Sequence, residues 1–287
     1  RQRQMCIRDR PHVDGLIGYA KVFHEAGISW TISSHASEAA NFGMFIGSYD
    51  NMRKLALRIR EAAIKLKVKR IVFGECGHAW RVAYSFLNTL AGPWDFLDQN
   101  YPIPQHICEV THGLIKEDKL KFDKSQNDDM VLTYHDSCNV ARASRMGDKA
   151  GGQFEIPRNI IKAVCNNYHD MSKDTIKEGT YCCGGGGGLL TDDLMELRVK
   201  GALPRMEALR RVVEDHGVTH MAAICAICKS QFSKVFPYYD FTMDQIVSVH
   251  QLVSNAIILT GQHDENDEND GENLSLIHIS EPTRPLY

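Results

Sequence analysis

The chain has 287 residues, of which 43% are hydrophobic and 24% are charged, a composition typical of a soluble globular protein. It has no uninterrupted apolar run of about 20 residues, which argues against a membrane-spanning helix. A formal net charge of -3 argues against a nucleic-acid-binding protein with a basic face. Nine cysteines are many for a cytosolic enzyme and few for a disulfide-rich mini-protein, so the cysteines need their own explanation.

The two ends of the chain carry peptides that one short DNA can encode on opposite strands. One codon choice for Met5–Arg10 has a reverse complement that encodes Leu274–Ile279, and this DNA resembles the end of a transposase-based sequencing-library adapter. We therefore interpret residues 1–10 and 274–287 as adapter-encoded and leave them out of the fold prediction. We expect the remainder to be part of a longer protein whose N-terminal region is missing.

Apolar runs and helical patterns alternate through residues 11–118, which predicts a parallel α/β arrangement. Residues 28–33 and 70–73 read as strands, and helices are expected over 79–90 and 106–115. A further helix, over 49–67, carries apolar residues at helical spacing: Met52, Leu55, Ile59, Ala62 and Leu66. The polar stretch 119–129 is the best candidate for a linker.

The same layout continues through residues 130–263. Residues 130–134 and 219–224 are predicted strands. Helices are expected over 157–168 (with Pro157 in its first turn), from Thr191 onward, over 227–235 and over 243–259. The acidic segment 264–273 has few apolar residues and is predicted to be a solvated tail.

The two halves look like degenerate copies of one another. Each has a strand ending at a cysteine (Cys76 or Cys225), a following helix, and a later helix with a similar tetrapeptide, His112–Ile115 or His250–Val253. Gene duplication explains this pattern, so we expect two related domains, 11–118 and 130–263, each with a short parallel sheet flanked by helices.

Five cysteines of the second half form the main candidate site. These are Cys138, Cys182, Cys183, Cys225 and Cys228. Each lies where a strand pattern gives way to a loop or a helix start, and parallel sheets gather sites at the carboxyl ends of their strands. Two adjacent cysteines suit a multi-iron cluster better than one small ion, and five soft ligands exceed the four of a closed zinc site. We therefore predict an iron–sulfur cluster; a zinc site and a redox dithiol are the alternatives.

The remaining residues have competing interpretations. Cys108 and Cys165 are expected to be small buried hydrophobic residues.

The run Gly184–Gly188 lacks the G-K-[ST] of a phosphate-binding loop, so we assign Gly184 and Gly185 to close backbone approach to the cluster. Arg142, Arg145 and Lys229 are candidates to offset the cluster charge or to contact an acidic partner; a solvated helix face is the alternative.

The five cysteines resemble the CCG-domain family, which comprises cysteine-rich subunits of heterodisulfide reductases and their relatives. The segments His135–Cys138, Tyr181–Gly184 and Ile224–Cys228 are similar to the three parts of the family motif, C-x(n)-C-C-G-x(n)-C-x-x-C, in order. Residues 11–260 as a whole resemble iron–sulfur subunits of membrane-bound electron-transfer complexes associated with dissimilatory sulfite reduction. The gaps between the three segments are a little longer than in the commonest family pattern, which indicates inserted loops.

The resemblance implies a cofactor and an activity. The five cysteines would hold a noncubane [4Fe-4S] cluster at which a disulfide or trisulfide is reductively cleaved. Glu38–Asn41 stands near where a second C-C-G would lie, and Cys76–Ala79 keeps only one cysteine of a C-x-x-C, so we infer one cluster rather than two. Cubane clusters are expected only in the missing N-terminal region.

The resemblance also implies partners and a place in the cell. A small sulfur-carrier protein of the DsrC type would present the substrate sulfur. A membrane cytochrome b subunit of the DsrM type, with other complex subunits, would hold this chain at the cytoplasmic side of the inner membrane. The alternative is an electron-relay subunit in a quinone-linked complex that oxidises glycolate, lactate or glycerol-3-phosphate.

Two further residues are catalytic candidates. His135, near Cys138, is placed in sequence to give a proton to a leaving thiolate, or it is bonded to backbone at a strand end. Cys76, flanked by Glu75 and His78, approaches the cluster from the first half and assists catalysis, or it is a core residue.

Overall fold

The structure is a computed structural model in which the described residues are 10–33, 35–36, 41–187, 190–260 and 275–278. Most of the two segments interpreted as adapter-encoded, 1–9 and 279–287, lies outside this part of the chain. The acidic run 264–272 and most of the comparison segment Glu38–Asn41 lie outside it as well.

The described strands form two parallel sheets. They are β1 Trp30–Ile32, β2 Arg70–Phe73, β3 Gln105–His106, β4 Leu132–His135, β5 His220–Ala223, β6 Ile246–Ser248 and β7 Ser275–His278. The first sheet has the order β1-β7-β2-β3 and the second has the order β4-β5-β6, with every neighbouring pair parallel. The predicted α/β class with short parallel sheets is therefore confirmed; a relationship between the halves by duplication stays a prediction.

Helices flank both sheets. They are α1 Arg10–Glu25, α2 Asn41–Phe45, α3 Tyr49–Lys65, α4 Gly77–Val82, α5 Asn88–Ala91, α6 Ile107–Lys116, α7 Cys138–Ala141, α8 Gly152–Val164, α9 Met195–His216, α10 Ala226–Val235 and α11 Val249–Ala256. Helix α3 begins after Ser48, whose hydroxyl accepts a hydrogen bond from the Asn51 N–H. Its predicted apolar face is buried except at Leu66, which follows the helix and is 38% exposed.

Strand β7 occupies the first sheet between β1 and β2. Ser275 pairs with both Trp30 and Arg70, and the next residues continue both ladders in parallel. These four residues were left out of the predicted fold, and the structure includes them. The reason is local: the segment has leucine and isoleucine at its centre, isoleucine favours strands, and four residues are long enough for both ladders. Their adapter origin stays a prediction.

Three other features differ from the sequence-based expectations. Residues 246–248 form β6 within the stretch 243–259 predicted as one helix, because three residues are too few to break a helical apolar pattern visibly. Pro157 lies inside α8 rather than in its first turn, since Gly151, with a φ of +80°, starts the helix six residues earlier. The polar stretch 119–129 is packed: Asn127 is buried and donates to the carbonyls of Val164 and Leu252.

A hydrophobic core runs through both halves. It extends from Phe73 in β2 through Trp80 to Tyr134 in β4 and Leu252 in α11. A second cluster lies around β5, α9 and α10, and it contains Met206. Burial of this apolar surface is the main stabilising term for both sheets. The domain boundary at 119–129 stays a prediction, but the two halves share one core.

The carboxylate of Glu75 joins the two sheets by polar contacts in that core. It lies just after β2 and is 1% exposed, and it accepts hydrogen bonds from Lys229 Nζ at 2.9 Å and from His250 Nδ1 at 2.7 Å. The backbone N–H of His250 also donates to it, at 2.7 Å. Burial opposes ionisation of Glu75, but Lys229 and His250 lower its pKa well below the usual range. An ionised carboxylate from the first half is thus neutralised by the second half.

Replacing Lys229 should destabilise the fold strongly. In Lys229→Met the Glu75 carboxylate would stay buried without its cation, which costs about 3–5 kcal/mol in the free energy of unfolding. The double variant Glu75→Gln/Lys229→Met should lose less, because no unpaired charge remains. Urea unfolding of the metal-free chain measures both.

The matched control is Lys200→Met, which removes an exposed lysine that pairs with Glu196. It should change the free energy of unfolding by less than about 1 kcal/mol. A Lys229→Met variant as stable as Lys200→Met would contradict the role assigned to this buried pair.

Candidate metal centre

The five predicted cysteines lie on three segments around the second sheet. Cys138 is the first residue of α7, shortly after β4, whereas Cys225 directly precedes α10, after β5, and Cys228 lies in the first turn of α10. Cys182 and Cys183 precede Gly184 in a loop that no strand introduces, which differs from the expectation that each cysteine follows a strand. Two of the three segments therefore belong to the carboxyl edge of the parallel sheet.

The structure brings all five thiols into one connected group. The Cys138 and Cys182 thiols are close enough to shift one another's pKa, and the Cys183 thiol also lowers the pKa of Cys182. Cys183 in turn contacts Cys228, and Cys228 contacts Cys225. Three segments that are far apart in sequence thus present soft ligand atoms to one place.

This group has a closed end and a more open end. Cys183, Cys225 and Cys228 are each at most 3% exposed. Cys138 and Cys182 are half-buried. A molecule approaching from solvent therefore meets Cys138 and Cys182 first.

The surroundings of the thiols lower the pKa of two of the five, Cys182 and Cys225, and raise the pKa of the other three. Contacts with the Cys138 and Cys183 thiols, with help from the Gly184 and Gly186 N–H groups, lower the pKa of Cys182 well below its usual range. Contact with Cys182 and burial raise the pKa of Cys138. Thiolates are the form that binds metal ions, so binding of a metal group would release the protons that the other thiols hold.

The donor set fits an iron–sulfur group. Five thiols exceed the four ligands of a closed zinc site, and nearby N–H groups point at the sulfurs. The Gly184 N–H donates to Cys182 Sγ at 3.3 Å, and Asn139 Nδ2 donates to Cys138 Sγ at 3.8 Å. Such donors are typical around thiolates that carry excess negative charge.

Two glycines let the cysteine loop pack closely, one against helix α9 and the other against a thiol. Gly184 has a φ of +85°, and a Cβ there would lie 2.3 Å from the Arg198 carbonyl oxygen of α9. A Cβ at Gly185 would lie 3.3 Å from Cys183 Sγ. Gly184 thus lies against α9 and Gly185 lies against Cys183, and the predicted close approach of both to a cluster stays a prediction. Gly188 lies outside the described residues.

A buried ion pair holds the Cys138 and Cys182 segments together. Arg158 donates to both oxygens of Asp136, at 2.8 and 2.7 Å, and both side chains are at most 2% exposed. The Thr180 hydroxyl donates to the Asp136 carbonyl at 2.8 Å, and Arg142 donates to the Thr180 carbonyl at 2.7 Å. Arg142, predicted as a charge partner, thus fixes the backbone next to the cysteine pair.

His135 is fully buried in the strand that leads to Cys138. Its ring packs edge-to-face on Phe232 with centroids 4.9 Å apart, and neither ring nitrogen has a hydrogen-bond partner. Burial, with the nearby Arg205, lowers the pKa of His135 to about 3. The imidazole is therefore neutral at neutral pH, and the expected backbone hydrogen bond is absent from the ring nitrogens. Its predicted role as a proton donor stays a prediction.

Cys76 lies at the closed end of the thiol group. Its Sγ, Cys225 Sγ and a ring nitrogen of His78 lie within 4.8 Å of one another, and all three residues are buried. Cys108 and Cys165 are buried too, and burial raises the pKa of both, as expected for core thiols. The structure thus places Cys76 beside Cys225, and its predicted part in catalysis stays a prediction.

Comparison with known proteins identifies relatives that are iron–sulfur subunits. The chain is 39% identical, over 280 aligned residues, to the Hdr-like menaquinol oxidoreductase iron-sulfur subunit of Archaeoglobus profundus, with 87% of this chain and 49% of the relative covered. It is 37% identical, with the same coverage, to the Hdr-like menaquinol oxidoreductase iron-sulfur subunit 2 of Archaeoglobus fulgidus. No family model matches the chain.

A shorter similarity reaches a heterodisulfide reductase. One subunit of the dihydromethanophenazine:CoB--CoM heterodisulfide reductase of Methanosarcina acetivorans is 33% identical over 130 residues, covering 43% of this chain and 27% of that protein. The chain spans about half the length of the two Archaeoglobus relatives. These names support an iron–sulfur cluster and an oxidoreductase of the heterodisulfide-reductase type.

Replacing Gly184 with alanine should destabilise the loop that carries the cysteine pair. Positive φ alone costs an alanine roughly 1–2 kcal/mol, and the clash with the Arg198 carbonyl adds about 1–3 kcal/mol. Gly217→Ala is the matched control, since Gly217 has a φ of +65° but nothing within 4 Å of an added Cβ. Urea unfolding should therefore show the larger loss for Gly184→Ala, and equal losses would rule out the close approach as its cause.

Proposed function

The similarities support membership of the heterodisulfide-reductase-like family, and on that premise we propose that the five thiols hold one iron–sulfur cluster used in electron transfer. The observation that carries the proposal is the unbroken series of thiol contacts from Cys138 to Cys225. Core cysteines do not gather in this way, because each buried thiol by itself packs as a small apolar group.

We propose a noncubane [4Fe-4S] cluster in particular. A cubane cluster takes four cysteine ligands, whereas this site offers five thiols, two of which are adjacent in the chain. When bound, the cluster would supply electrons at a centre that is reached from the side of Cys138 and Cys182. The Cys182–Gly185 segment and the first turn of α10 would hold it, and Asp136 and Arg158 would fix the spacing between Cys138 and Cys182.

The proposed substrate is a disulfide or trisulfide on a small sulfur-carrier protein of the DsrC type. Cleavage of a disulfide takes two electrons and two protons and yields two thiols. The half-buried Cys138 and Cys182 define where such a sulfur would approach, while the closed end excludes water. His135 is the predicted proton donor; its ring is neutral, so it would first have to take up a proton, which its burial opposes, before it could give one to a leaving thiolate.

This assignment makes the chain part of a DsrK-type subunit, the iron–sulfur subunit of a sulfite-reduction-associated complex. A DsrM-type cytochrome b subunit would be its membrane partner, and cubane clusters elsewhere in the protein would deliver the electrons. Among the described residues, no helix is long and apolar enough to cross a membrane. We also propose attachment through partner subunits at the cytoplasmic side of the inner membrane, which the menaquinol oxidoreductase names of the relatives support.

A second function is favoured by the names of the relatives. Two of them are menaquinol oxidoreductase subunits, which fits an electron-relay subunit of a quinone-linked complex, as in the oxidation of glycolate, lactate or glycerol-3-phosphate. The buried part of the site suits both functions equally well. The two functions differ in whether a sulfur substrate reaches Cys138 and Cys182.

The cluster itself is tested by metal analysis of the anaerobically reconstituted chain. The wild type should hold iron and sulfide in equal amounts, at about four of each per chain. Cys183→Ser and Cys225→Ser should each hold much less, because each removes a buried thiol of the group. The control Cys165→Ser, a buried thiol outside the site, should hold as much as the wild type. Bound zinc without iron and sulfide would contradict the proposal.

Sulfur chemistry is tested with the reduced, reconstituted chain. Mixed with a disulfide-bearing carrier protein, it should become oxidised, and two carrier thiols should appear for every two electrons lost. An oxidised menaquinone analogue is the comparison. Oxidation by the quinone analogue, with no new carrier thiols, would favour the electron-relay function.

A further inference from the structure

Cys76 and Cys225 occupy equivalent places in the two halves and face one another. Cys76 directly precedes α4 after β2, as Cys225 directly precedes α10 after β5. The backbone N–H of Ala226 donates to the Glu75 carbonyl at 3.0 Å. This hydrogen bond joins the ends of the two strands, and so it sets the distance between the two cysteines.

His78 completes a three-residue cluster with these cysteines. Its Nδ1 lies 3.4 Å from Cys225 Sγ, and its Nε2 is buried with no hydrogen-bond partner. The ring packs edge-to-face on Phe45, with centroids 4.9 Å apart, so its plane is fixed. A buried imidazole with an unpartnered nitrogen costs free energy unless the site it faces supplies a compensating interaction.

Cys76 differs from an ordinary core thiol. Its sulfur accepts the Ala79 N–H at 3.5 Å and is in contact with the Cys225 thiol. Through Cys225 it extends the series of connected thiols by one member. Cys165 is buried to the same degree, but its pKa is shifted by burial and by Lys124, Asp128 and Asn127, and by no other cysteine.

The position of Cys76 also excludes it as the group that meets a substrate first. It is 4% exposed and is separated from the half-buried Cys138 by Cys225, Cys228 and the cysteine pair. A protein-borne sulfur that approached Cys138 would therefore reach Cys76 only across the whole site. A role as an attacking thiol does not fit this geometry, whereas a role in holding the metal group does.

We propose that Cys76 is a sixth thiol of the metal centre, which binds the metal group at its buried end, and that His78 positions Cys225 there by hydrogen bonding to its sulfur. This inference rests on the proposed function for the identity of the group. It makes the first half of the chain a contributor to the site rather than a remnant that has lost its ligands.

The test compares Cys76→Ser with Cys165→Ser in the reconstituted chain. Serine caps a helix as well as the cysteine does, so α4 should keep its start and the chain its fold. We expect Cys76→Ser to change the EPR spectrum of the cluster and to lose iron faster to a chelator than the wild type, while Cys165→Ser matches the wild type. A Cys76→Ser chain with wild-type spectrum and wild-type iron retention would overturn the proposal.

A cobalt titration separates failure of this inference from failure of the proposed function. Co²⁺ added to the reduced, metal-free chain reports thiolate ligands through sulfur-to-cobalt charge-transfer absorption. A wild type that holds no iron–sulfur cluster would refute the proposed function. Weaker charge-transfer absorption in Cys76→Ser than in Cys165→Ser would still support the metal-binding role of Cys76, and equal absorption would refute it.

His78 is tested as a positioning residue by its effect on the reduction potential. His78→Phe should keep the packing on Phe45 but remove the N–H near Cys225, which should lower the cluster potential because hydrogen bonds to thiolate ligands raise it. His78→Gln, which keeps a donor, should lie closer to the wild type. A potential that is the same in His78→Phe and the wild type would refute the role of His78.

Discussion

The ionised carboxylate of Glu75 is the group on which the arrangement of the two halves depends. It is buried where the first sheet ends, and its partners, Lys229 and His250, come from helices of the second half. An ionised carboxylate at this depth is tolerable only if its partners hold their positions. Because Glu75 precedes Cys76 and Lys229 follows Cys228, the same contacts also fix the buried end of the thiol group. The polar junction and the candidate metal centre are thus built on neighbouring residues.

The Asp136–Arg158 pair has the corresponding role at the open end. It is charged and buried, it belongs wholly to the second half, and it holds the backbone on both sides of the site. A buried ion pair therefore lies at each end of the site. Each pair loses hydration on folding, and only well-aligned contacts between the partners compensate for that cost. Between the two ion pairs the thiols contact one another without a covalent bond, so the spacing available to a metal group is set by the protein before any metal binds.

The cysteines could be predicted from sequence because their signals are local. Each signal is visible within a few residues of the sequence: a cysteine pair, a C-x-x-C at a helix start and a cysteine after a buried strand. The ion pairs could not be predicted in this way. Glu75 and His250 are 175 residues apart, and Asp136 reaches Arg158 only because α8 returns across β4. For His135 the sequence predicts a place at the end of a strand, but it does not predict which face of the sheet the side chain lies on, because all four residues of β4 are buried. The packing of its ring on Phe232 depends on the tertiary fold.

The close approach of Gly184 to α9 has a mechanical consequence. With no side chain between them, the backbone of the cysteine loop rests directly on the Arg198 carbonyl and on Ala202. Helix α9 has 22 residues and a length of about 33 Å, and it ends at His216 near the molecular surface. A shift of this helix along its axis would be passed to Cys182 and Cys183 with no flexible side chain to absorb it. The geometry of the thiol group is therefore coupled to a part of the protein surface about 21–27 Å away along the helix.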